Sequence, residues 1–175
     1  MQLGLARARW DLVCGRAVED GERRLAANDL VISLQNARDL DGALPLAEEA
    51  LVVERRINGD DDPSTLSCIS SLASLHGDMG NHDQALPLHT EALAGSRRVR
   101  GDDHPSTLGS ISNIGYLHFV MGNHDLALPL CEEALAGRRR VLGSAHPDTL
   151  ASSSNMAMIA LDVKVILTPP CVFHK

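Results

Sequence analysis

Behind Pro63, residues Leu66, Ile69, Leu72, Ala73 and His76 recur at steps of three and four, the spacing of one helix face. Proline suits a first helical position, where its missing N–H would have no partner anyway. Gly80 and Asn81 break the pattern. A second one follows with Ala85, Leu88, Ala92, Leu93 and, a turn later, Val99, and Gly101 with Asp102-Asp103 closes the unit before Pro105. The pattern predicts two helices, one from Pro63 to about Gly80 and one from about Asp83 to Gly101. Pro87 and Pro129 fall inside second helices. If those helices begin at Asp83 and Asp125, each proline lies near the last unpaired donor; an earlier start predicts a kink.

The unit recurs. Pro63-Ser-Thr-Leu66 returns as Pro105-Ser-Thr-Leu108 and as Pro147-Asp-Thr-Leu150, a period of 42. Gly80-Asn-His-Asp83 returns as Gly122-Asn-His-Asp125, and Ala-Leu-Pro-Leu occupies 43–46, 85–88 and 127–130. Residues 63–104 and 105–146 agree at 27 of 42 positions, far above chance. One helical hairpin cannot bury its apolar face alone, whereas stacked neighbours bury it jointly. The expected fold is therefore all-α, an α-solenoid of stacked antiparallel helix pairs. The array spans 21–161, with units at about 21–62, 63–104 and 105–146 and an incomplete last one at 147–161. Residues 1–20 are expected as a flanking helix or the remnant of a preceding repeat. Residues 162–175 are expected as an irregular tail, because Lys164 stands where the turn glycine is due and Pro169-Pro170 do not continue the repeat. Such an ending leaves the array without a polar cap. It suggests self-association through the uncapped end, and a truncated or misspliced product or a fragment of a longer protein.

The phrases Gly101-Asp-Asp-His-Pro-Ser-Thr-Leu108, Gly122-Asn-His-Asp-Leu-Ala-Leu-Pro-Leu130 and Glu133-Ala-Leu135 resemble the tetratricopeptide repeats of kinesin light chains, in their 42-residue form. The resemblance covers about residues 22–161. It implies a right-handed superhelix whose first helices line a concave groove. It also places the small packing residues at Ala73, Gly115 and Ala157 in first helices, and at Ala50, Ala85, Ala92, Ala127 and Ala134 in second helices. Where the family usually has a ring, this chain has His76 and His118, His82 and His124, and His89 and Cys131.

That substitution accounts for a chain only 2% aromatic and predicts a marginally stable array, since rings bury large areas. The net charge of −7 argues against a nucleic-acid partner, which would call for clustered Lys and Arg. No run of about 18 apolar residues exists to cross a membrane, and the first ten residues lack the apolar stretch of a secretory signal. The four cysteines form no CxxC pair, so free thiols in a reducing cytoplasm are expected.

Eight histidines invite a metal, but copies 42 residues apart are spread one per unit, and no HExxH occurs. With no GxSxG elbow and no phosphate-binding glycine loop, catalytic residues, cofactors and metals are all expected to be absent. Arg55-Arg56, Arg97-Arg98 and Arg138 to Arg140 read better as complements to helix C-termini than as a basic stripe.

The opposite face of the first helices carries the binding candidates: Ser67, Ser70, Ser71 and Ser74, then Ser112, Asn113 and Tyr116, then Ser154 and Asn155. An Asn amide both donates and accepts, which suits a peptide main chain, and the resemblance puts such residues in the groove. Grooves that take acidic peptides are expected to be basic; these positions are neutral. The expected function is a non-catalytic adaptor for a protein or peptide segment. The alternative is a sensor or oligomerisation arm of a larger regulatory protein.

Overall fold

In a computed structural model, residues 39–167 are described, with side chains as far as 161. Six helices occupy them: α1 (Leu40–Asn58), α2 (Pro63–Asp78), α3 (His82–Arg100), α4 (Pro105–Val120), α5 (His124–Leu142) and α6 (Pro147–Leu167). No strand occurs among the described residues. The expected segment 1–20 lies outside them.

Each boundary has a local cause. Asp62 caps α2 by accepting from the Ser64 N–H at 2.8 Å, with Pro63 as the first helical residue. His104 does the same for α4, its Nδ1 accepting from Ser106 at 3.1 Å, and His146 for α6, accepting from Asp148 at 3.2 Å. The histidine before each of these prolines is thus a helix cap. At the far ends, Gly80 and Gly122 adopt φ of 78° and 79°, a left-handed conformation that costs glycine little. There the Asn81 N–H reaches the His76 carbonyl and the Gly80 N–H that of Gly77, and Asn123 and Gly122 repeat the pair of bonds one unit later. That is the Schellman closure of a helix. Glycines with positive φ also end the second helices, at Gly59, Gly101 and Gly143, so a turn falls every 21 residues.

Position 164 continues that beat but holds Lys, and α6 runs through it to Leu167, with 21 residues against 16 in α2 and α4. Residues 162–167 therefore extend the helix rather than form an irregular tail; residues 168–175 lie outside the described set. The second helices begin at His82 and His124, one residue earlier than the prolines would prefer. Pro45, Pro87 and Pro129 each fall sixth in their helix, and each helix runs on unbroken. One backbone hydrogen bond is forfeited per proline, without the interruption that the early start predicted.

The chain forms two compact units, divided between Val99 and Arg100. In the first, Ala43, Ala47 and Leu51 of α1 pack with Leu66, Ile69, Leu72 and Leu75 of α2 and Ala92 of α3. In the second, α5 packs on α4 and on α6, and α4 touches α6. Ala127 and Cys131 meet Ile159 there, with Phe119, Leu128 and Met156 against them. Small residues decide how closely the helices approach. A methyl group added to Gly95 or Gly137 would collide with Leu66 or Leu108 respectively. One at Gly115 would sit 2.7 Å from Cys131 Sγ and 3.3 Å from its backbone nitrogen. Ala50, Ala73, Ala85, Ala92, Ala127 and Ala134 are all buried, as the repeat register requires, but Ala157 is exposed. Val99 is also exposed; the turn expected to bury it instead buries Gly95 and Ser96.

Candidate functional site

The first helices each present one outward face. On α2, in the first unit, Ser67 and Ser71 are exposed and Ser70 and Ser74 half-buried. On α4, in the second unit, Asn113 and Tyr116 are exposed, but Ser112 is only 6% exposed and offers a ligand almost no surface. On α6, Ser154 is exposed and Asn155 half-buried. The Ser154 hydroxyl donates to the carbonyl of Leu150 at 3.1 Å, so its proton is already used.

Because α4 and α6 are neighbours, Asn113, Tyr116, Ser154 and Asn155 lie on adjoining helices of one unit. The α2 serines form a face of their own in the other unit. Val120, exposed four residues beyond Tyr116, extends the α4 face; it escaped the sequence reading because an apolar residue at a helix end reads as core. The Tyr116 ring stands 6.5 Å from that of Phe119, which in turn lies 5.6 Å from His124. This aromatic chain fixes the base of Tyr116 while leaving its surface open. No ionisable side chain other than Tyr116 stands among the candidate positions of α4 and α6.

The arginines are engaged elsewhere. Arg98 pairs with Asp61, and Arg140 pairs with Asp103, the same tie one repeat later. Arg55 pairs with Glu91 and, at 3.3 Å, with Asp60. Half-buried Arg138 donates to the Asp148 carbonyl at 3.1 Å and to the Ser152 hydroxyl, binding the end of α5 to the start of α6. Burial lowers its pKa, and the nearby Asp148 charge opposes that. These pairs fit helix-end electrostatics and loop fastening.

The histidines at ring positions are partly or fully buried. His89 is 4% exposed, and desolvation lowers its pKa to about 4. Burial also raises the Cys131 thiol, which disfavours the reactive thiolate. Among the described residues no cluster of three or more metal-ligating side chains occurs. Nor is any described helix long and apolar enough to cross a membrane.

Tetratricopeptide repeat profiles match residues 22–98 and 107–148, which together make up most of the sequence. The chain is a tetratricopeptide repeat protein. No curated protein matches it in sequence. In structure it is similar to BtubC (BKLC) from P. vanneervenii, with a TM-score of 0.79 and 18% identity over 92% of this chain and 65% of that one. It thus spans about two-thirds of BtubC. It is also similar to a Podosopora anserina protein, named for kinesin light chain, with nearly identical TPR-like repeats. There the TM-score is 0.76 and the identity 21%, over 93% of this chain and 77% of that one. A variant of that protein aligns at 0.78, with 20% identity and the same coverage of both chains. The tetratricopeptide fold here is an all-α helical-repeat solenoid of the kinesin light chain kind. Such repeats indicate a protein–protein interaction scaffold, a role that is generally non-catalytic.

Proposed function

We propose that the outward faces of α4 and α6 take a peptide segment of another protein, held by its main chain. The observation that carries this reading is the placement of Asn113 and Asn155 on neighbouring helices of one unit, with Tyr116 beside Asn113 on α4 and no charged residue among the candidate positions. Each amide can donate to a peptide carbonyl and accept from a peptide N–H. The phenol ring adds apolar contact at low conformational cost. Ser67, Ser70, Ser71 and Ser74 on α2 would offer a comparable polar face within the first unit. A reducing, cytoplasmic setting suits the free thiols Cys68 and Cys131.

The test is capture of partners by the wild type and by an Asn113→Ala/Asn155→Ala double variant. The expected outcome is at least a tenfold loss of the captured partner at unchanged helicity, as two buried hydrogen bonds would give. Undiminished capture would remove both residues from the site. The second reading, an oligomerisation arm, is favoured by one observation of its own: the apolar residues left exposed on α6.

A further inference from the structure

Asn58 is the only one of the chain's seven asparagines that precedes a glycine. That pair carries its own chemistry. The Gly59 nitrogen, once its proton is lost to base, can attack Asn58 Cγ; a C–N bond forms, the Cγ–Nδ2 bond breaks and ammonia leaves. Water then opens the five-membered succinimide at one carbonyl or the other, giving aspartate or isoaspartate, with no oxidant or reductant required. Glycine permits the attack because no side chain shields its nitrogen or hinders the closing ring. The turn glycines that close α3 and α5 follow Arg100 and Leu142 instead, so among these three turns only the first holds the reactive pair.

Asn58 is the last residue of α1 and is exposed, so water and base reach it. Both reacting groups are nevertheless engaged. The Gly59 N–H donates to the Arg55 carbonyl at 3.0 Å, closing the helix, and the Asn58 amide donates to Glu54 Oε2 at 2.7 Å. Attack has to wait until this turn opens. Glu54 is only 1% exposed, and a carboxylate formed at 58 replaces its hydrogen-bond donor with a like charge at the same place. The new charge also falls at a helix C-terminus, where negative charge is unfavourable, and directly ahead of Asp60, Asp61 and Asp62. We propose that Asn58-Gly59 is a deamidation site, held in check by the folded end of α1, whose product loosens the first unit through Glu54. None of these residues belongs to the peptide surface.

The full chain, aged in mildly alkaline buffer and mapped by mass spectrometry of its digest, is expected to convert Asn58 roughly tenfold more slowly when folded than in urea, the factor that breaking these hydrogen bonds implies. Equal rates would overturn the proposal, because the turn would then guard nothing. Asn58→Asp, which reproduces one product, is expected to lower the urea midpoint, and to lower it by less when Glu54→Gln is already present. A loss of the same size in both backgrounds, or none in either, would equally overturn it. Should Glu54→Gln fail to fold, Asn58→Gln decides, since glutamine keeps the amide but closes a ring far less readily. Ageing to full conversion is then expected to lower the wild type's midpoint and leave that of Asn58→Gln unchanged. An aged wild type as stable as the fresh chain, or equal losses in both proteins, would overturn the proposal.

Discussion

His89 sits where related repeats usually place a ring, at 4% exposure, with its Nδ1 buried and unpaired within the protein. Its pKa of about 4 in the folded chain compares with 6.5 for the exposed group. Between those values the unfolded chain binds more protons than the folded one. Stability is therefore complete above about pH 6.5 and falls as the pH drops toward 4. Going from pH 7.5 to 5.0, this one group can remove up to about 2 kcal/mol. The repeat supplies its own control: the position 42 residues later is Cys131, equally buried and uncharged over that range. His89→Cys is expected to flatten the pH dependence of the urea midpoint, and a wild-type profile already as flat as the variant's would contradict the assignment. The other ring-position histidines differ in burial: His76 is buried, whereas His82, His118 and His124 are only half-buried. Residue identity in the sequence could not separate them, because burial depends on the neighbouring helix. For the same reason Ser112 read as a groove residue and proved buried.

At the scale of the element, every second helix carries a proline at its sixth residue, one turn past the point where a missing N–H is harmless. Pro129 leaves the Asp125 carbonyl without its helical donor. Proline within a helix costs about 3 kcal/mol against alanine, less near the N-terminus, and about 0.4–1 kcal/mol returns through a stiffer unfolded chain. Pro129→Ala is thus expected to stabilise by about 1–2 kcal/mol, read as a higher denaturant midpoint at unchanged slope. A lower midpoint would mean that the proline ring itself contributes packing outweighing the lost bond. The first helices tell a complementary story. Asp62, His104 and His146 occupy one register position and cap by different chemistry, carboxylate in the first case and imidazole Nδ1 in the other two. The histidine of the His-Pro corner therefore needs no catalytic or metal role. The glycine at 80 and 122, and its replacement by Lys164, decides whether a first helix turns back or runs on.

For the whole molecule, the period of 42 made the fold legible before any coordinate. It placed the prolines that start α2, α4 and α6, the glycines that end α2 and α4, and nearly all the small residues between helices. The exceptions, Ala157 and Val99, are positions whose cover depends on a neighbour that the local pattern cannot show. The candidate surface was legible in outline only, since periodicity assigns a face and burial then selects within it. The exposed run on α6 needed comparison of one register across three copies. That same comparison bears on stability. A solenoid gains stability mostly between neighbouring repeats, so each interface built of Ala, Gly, His and Cys where rings would stand weakens the array locally. Each missing ring forgoes about 1 kcal/mol of buried apolar area, against about 5–15 kcal/mol for an average domain. Six such positions are His76, His82, His89, His118, His124 and Cys131. Calorimetry should accordingly find a broad transition far below about 90 °C, the threshold of hyperstability. A midpoint above that threshold would show that small, close-packed interfaces had made good the missing rings.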